Sequence, residues 1–227
     1  VSGARAFPVS ARADRAFYPA MALVLAVLVA AGFMPTFFAR DSAALGPMSV
    51  PVLVHGVTGT AWVLLFLAQT VLVAAQRVAW HRRLGWLGAA VTAAFVVSGV
   101  FVIAALERSH GNEPLVWRAP HLFTNGAPLA AFGVLVAAAV WHRANAARHK
   151  RLMLLAAVVL APPALGRLFG RLDLTELNLL AYAGLAFANA LYDLAVYRRP
   201  HAIALFGAAA LVAIDVVTTT WLAAVGS

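Results

Sequence analysis

Seven apolar stretches follow one another along this chain, and Arg-rich turns close every second junction between them. A hydrocarbon core of about 30 Å takes ~20 helical residues to cross. Lipid offers the backbone no hydrogen-bond partners, so such stretches fold as helices that satisfy their own amides. The spans read as about 17–38, 51–76, 84–106, 121–141, 152–169, 177–197 and 201–225. The expected fold is therefore all-α: an integral membrane helical bundle of seven transmembrane helices. Residues 17–227 form one domain behind a cytoplasmic tail, 1–16, that is disordered at its beginning. No repeat of fixed period and no long linker divides it.

Charge placement orients the bundle. One set of connections carries Arg5, Arg12 and Arg15, then Arg77, Arg82 and Arg83, then Arg143, Arg148, Lys150 and Arg151, then Arg198 and Arg199. In the other set Arg40 is offset by Asp41, Arg108 and Arg118 by Glu107 and Glu113, and Arg171 by Asp173 and Glu176. By the positive-inside rule the N-terminus is cytoplasmic and the C-terminus periplasmic, in a bacterial inner (cytoplasmic) membrane. The basic start precedes an apolar run longer than a signal-peptide core, so the reading is a first span and not a cleaved leader.

Composition excludes several classes. Charged residues make up 11% of the 227 positions, against ~25% in soluble domains, and mean hydropathy is +0.88. The net charge of +9 flanks apolar spans, which points to lipid headgroups as partner and not to nucleic acid. With no cysteine, thiolate metal sites, iron–sulfur clusters and disulfides are out. The only lysine is Lys150, in a turn, which removes a retinal-type Schiff base in the last span. Clustered histidine boxes and the motifs G-x-x-x-x-G-K-[ST], H-E-x-x-H and G-x-S-x-G are absent.

The polar residues inside the spans carry what chemistry there is. His55, Trp62 and Gln69 recur every seven residues and so share a face, which should look into the protein. His55 and His121 lie at similar depth near the outer ends of spans two and four. They are a candidate bis-histidine site for one haem b or a metal, or else interface histidines bonded to headgroups, water or a carbonyl. Arg167, at that depth on span five, would hold a haem propionate or a quinone oxygen. His149, Met153, Ala156, Leu160, Pro163 and Arg167 form one stripe of that span. His81 and His149 would make a second, inner site, or else belong to a solvated basic face.

Span three shows Gly85, Gly88, Thr92 and Gly99 along one side, suited to helix packing or a flat macrocycle. Tyr182, Asn189 and Asp193 share a face of span six, as an interhelical clamp would, with Asp193 pairing Arg198 or a turn arginine. Asp215, beside Thr218 and Thr219, is either a proton relay or a neutral acid bonded to a neighbouring helix. Pro162 and Pro163 must bend or break span five, and Pro35 must end or kink span one.

The run PVLVHGVTGTAWVLLFLAQTVLVAAQRVAWHRRLGWLGA and the later RHKRLMLLA resemble a widespread group of bacterial multi-spanning membrane proteins without a settled activity. The resemblance covers spans one to five and speaks to topology. More distantly, the placement of His55, His81, His121 and His149 is similar to the ascorbate-dependent transmembrane cytochrome b family. There, one haem lies between the second and fourth helices of the chain and another between the third and fifth. That likeness implies a haem b protein passing electrons between a quinol or small reductant and a partner. The chain departs from the pattern in placing His81 within a turn. The alternatives are a non-catalytic structural or assembly subunit of a larger respiratory or photosynthetic membrane complex, and a proton-coupled transporter using Asp215 and the broken span.

Overall fold

The structure is a computed structural model that describes residues 9–109 and 114–226. Arg5 and Glu113 lie outside the described residues, as does the side chain of Trp117. The long helices are α1 Val9–Phe33, α3 Val50–Ala74, α4 Val78–Ser109, α5 Leu115–Trp141, α8 Asn178–Tyr197 and α9 Ala202–Gly226, with a short α2 at Ser42–Leu45. Between α5 and α8 stand two shorter helices, α6 Ala146–Val158 and α7 Pro162–Leu172. Among the described residues six helices are long and apolar enough to cross a membrane, and α6 with α7 makes a seventh if that pair, bent by 41°, is one span. This is an all-helical, multi-pass membrane protein.

The breaks have local causes. Pro162 and Pro163 occupy the first turn of α7, where a missing N–H costs nothing, and the chain bends just before them. A π-helical turn, Met34–Phe38, follows α1 and contains Pro35. Gln76 and Arg198 take left-handed backbone (φ 61° each) to end α3 and α8, and Pro200 forbids continuation of the latter. Asn145 caps α6, its side chain accepting from the Arg148 amide at 3.1 Å.

Several boundaries differ from the sequence reading: α4 begins at Val78 and α6 at Ala146, so His81 and His149, expected in turns, are helical. Residues 9–16, assigned to the tail, are helical and continuous with the first span, so Asp14 has a fixed place in the bundle. The connection expected over 107–120 is shorter, because α4 runs to Ser109 and α5 already begins at Leu115. Arg118 grips Glu107 across it at 2.8 Å.

Contacts between neighbours run α1 to α3, α3 to α4, α4 to α5, α5 to α9, α9 to α8 and α8 back to α1. That closes a ring. The half-span α6 stands inside it, touching α1, α5, α8 and α9, and Leu152 together with every residue from Leu154 to Val159 is buried. Helices on the ring show one buried stripe, whereas α6 from Leu154 to Val158 is covered all round, as a core helix must be. The bend hands the chain to α7, which packs between α1 and α8. Here α1 and α7 approach backbone to backbone at Gly32 and Ala164. Arg171 donates to the carbonyls of Ala31 and Gly32 (2.6 and 3.0 Å), satisfying the end of α1.

Candidate functional site

The first two turns of α6 carry Arg148, His149, Lys150 and Arg151 in succession. Successive residues of a helix point about 100° apart, so three neighbours at its centre reach three different walls. His149 turns to α4 and α5, Lys150 to α1 and α8, and Arg151 to α8 and the start of α9.

Arg151 and Asp193 form a bidentate ion pair, Nε to Oδ2 at 2.8 Å and Nη2 to Oδ1 at 2.5 Å, with side chains 5% and 0% exposed. The third guanidinium nitrogen donates to the Ala147 carbonyl and Asp193 also accepts the His201 amide at 3.1 Å. Asn189, one turn before Asp193, donates weakly to the Arg151 carbonyl (3.5 Å) and accepts from the Tyr18 hydroxyl (3.3 Å). Beside this pair lies a second one. Asp14 accepts from Lys150 Nζ (2.6 Å), Tyr192 (2.8 Å) and Tyr197 (2.9 Å). Phe17 stacks on Tyr192 at 4.0 Å, and Lys150 sits 5.1 Å from the Tyr18 ring centroid. The clamp expected from Tyr182, Asn189 and Asp193 is thus real at Asn189 and Asp193, and a turn arginine is the partner. The sequence reading missed Asp14, Tyr18, Tyr192 and Tyr197. Asp14 and Tyr18 lie on one helix and Tyr192 and Tyr197 on another, the latter two about 140° apart around its axis, so no shared stripe announces them.

His201 caps α9: its Nδ1 accepts from the Ile203 amide at 3.2 Å. Partial burial, and then the positive charge of Arg151 with Arg148 and Lys150 behind it, hold its pKa below the usual 6.5 despite Asp193. A depressed pKa means that the neutral ring favours the folded state. The contribution is whole above about 6.5 and disappears as pH falls through the lower folded value. Thermal unfolding in detergent should therefore show stability falling below pH 6.5, and His201→Ser, a cap that does not titrate, should flatten that limb.

The histidines do not pair as expected by depth. His55 Nδ1 lies 3.2 Å from Ser98 Oγ of α4, and the ring stacks on Phe95 with centroids 4.3 Å apart. Leu129 of α5 packs against Gly99 beside it. His121 is exposed on α5, in a shallow groove with Glu107, Arg118 and Asn125. Trp62, 3% exposed, donates to Thr92 Oγ1 at 2.9 Å and packs on Phe66 and Phe132, filling the space between α3, α4 and α5. Arg167 is exposed, bonded to the Pro163 carbonyl at 2.9 Å, with its guanidinium 4.4 Å from the Phe33 ring centroid. The contacts of His55 are thus to α4, those of Arg167 to its own helix and to Phe33.

The inner pair does converge. The rings of His81 on α4 and His149 on α6 have centroids 6.1 Å apart and planes at 81°. A metal held between the two rings would take one nitrogen from each. His149 Nδ1 donates to the Ala139 carbonyl at 2.8 Å, which leaves Nε2 with its lone pair free, as in most metal-binding histidines. His81 Nδ1 and Gln69 Oε1 are both buried without a hydrogen-bond partner, an arrangement that costs free energy unless something occupies the site. Gly85 and Gly88 follow on α4. A Cβ at Gly85 would meet nothing within 4 Å, and one at Gly88 only Leu65 at 3.7 Å. Among the described residues no cluster of three or more His, Asp or Glu offers a metal site. The donor set is two imidazoles and an amide oxygen.

Asp215 lies on α9, and the hydroxyls of Thr218 and Thr219 bond to its backbone carbonyl (2.8 Å each), not to its carboxylate.

Fold and site together define a multi-pass helical membrane protein with a polar clamp at one end of the bundle and an imidazole pair beside it. Comparison with known protein families, with curated proteins and with solved structures gives no match.

Proposed function

We propose that this protein is a redox carrier of the bacterial inner membrane, holding haem b on His81 and His149 and passing electrons between a quinol or small reductant and a partner. The convergence of those two rings from separate helices carries the reading. The unpartnered His81 Nδ1 and Gln69 Oε1, and the open flank at Gly85 and Gly88, support a bound group there. Bound haem would supply one-electron chemistry. This chain's own contribution is to fix His149 through Ala139, to set the distance between the rings, and to surround them with apolar helix faces. The outer pair, His55 and His121, is not part of this proposal, and neither is Arg167. The Arg-rich connections support an orientation with the His81–His149 end, the Asp14–Lys150 clamp and the N-terminus cytoplasmic and the C-terminus periplasmic.

The reduced-minus-oxidised spectrum of purified protein should show haem b bands. His81→Ala and His149→Ala should each reduce haem content at least tenfold, and His55→Ala should leave it within twofold of wild type. Protein that carries neither haem absorption nor a stoichiometric redox metal would end the proposal.

A further inference from the structure

We propose that the cleft between the start of α6 and the turn joining α8 to α9 binds a phosphate group, that of an anionic phospholipid headgroup. Lys150, Arg151, Tyr197, Arg199 and His201 line it, and among the described residues no carboxylate does. Its volume is about 220 Å³; at ~30 Å³ per water, that is room for a phosphate and part of its hydration shell.

The cations are held in place from behind. Asp193 and Asp14 sit beneath the cleft and fix Arg151 and Lys150, so little side-chain freedom is lost when an anion arrives. Arg199 makes no ion pair among the described residues and is exposed at the rim. Lys150, Arg151, Arg199 and neighbouring Arg148 outnumber the two carboxylates. Two helices, α6 and α9, also begin here and add their positive ends. The choice of a lipid over a soluble anion follows from position. The cleft lies where the apolar stretches of α8 and α9 end in Tyr197, Arg198 and Arg199, at headgroup depth, and such basic pockets between helix ends suit anionic headgroups.

The test uses the full chain in neutral detergent, titrated separately with short-chain phosphatidylglycerol, short-chain phosphatidylcholine and sodium phosphate, with bound species counted by native mass spectrometry. One phosphatidylglycerol should be retained per chain at least tenfold more tightly than phosphatidylcholine. Arg199→Glu should weaken that retention at least tenfold, whereas Arg77→Glu, an equal charge change in another turn, should alter it by less than twofold. Equal loss in both variants, or equal retention of the two lipids, overturns the proposal. Phosphate binding as strong as the lipid's, lost in Arg199→Glu, overturns the lipid assignment and gives the cleft to a soluble anion.

Discussion

Asp193→Ala is expected to destabilise the protein by about 3–5 kcal/mol, the usual cost of removing one partner from a buried ion pair. The substitution strands a guanidinium whose side chain is 5% exposed and removes both of its carboxylate bonds. It also takes the acceptor from the His201 amide, loosening the start of α9. The cost comes from the orphaned charge and not from the worth of the pair. Exchanging both residues for apolar ones, Arg151→Met with Asp193→Leu, should therefore recover most of the loss. Unfolding of the purified protein in mixed micelles measures wild type, Arg151→Met, Asp193→Leu and the double variant, the four corners of that cycle. A single variant within 1 kcal/mol of wild type would show that water reaches the pair.

The second large effect falls at Gly32. A Cβ placed there lies 2.6 Å from the Ala164 carbonyl oxygen and 2.7 Å from its Cα. Backbone cannot rotate aside as a side chain can, so α1 and α7 must separate, and Arg171 then loses its hold on Ala31 and Gly32. Gly32→Ala should cost roughly 1–3 kcal/mol from overpacking, only partly offset by about 1 kcal/mol of helix propensity. Gly184→Ala in α8 is the matched comparison. A Cβ there meets nothing within 4 Å, so the same exchange should be neutral or stabilising by up to ~1 kcal/mol. Opposite signs at the two glycines, read by thermal unfolding, would confirm the tight crossing.

The helices were legible in the sequence because span length and turn charge are properties of consecutive residues. The bend before Pro162 was legible for the same reason. The start of α1 was not, since Arg12, Asp14 and Arg15 look like a solvated tail until Lys150, Tyr192 and Tyr197 supply partners for Asp14 from 136 to 183 residues away. Among the histidines, sequence gives depth but not direction around the helix axis. Depth alone matches His55 with His121, whereas the imidazole of His55 turns to Ser98 on the adjacent helix. His81 and His149 stand among arginines in the sequence, which is also how a solvated basic face looks. The ring of helices around α6 brings them together, and nothing local announces that α6 is central.

The central position of α6 also constrains the order in which the chain can be completed. Chains are made N-terminal end first, so α6 enters the bilayer carrying Arg151 before its counter-ion exists. Asp193 arrives 42 residues later, and α9, which closes the last side of α6, later still. Until then the innermost segment faces lipid with an unneutralised guanidinium. Newly made chains cut short before α8 should therefore remain loose and be prey to quality-control proteases, whatever the merit of their first five helices.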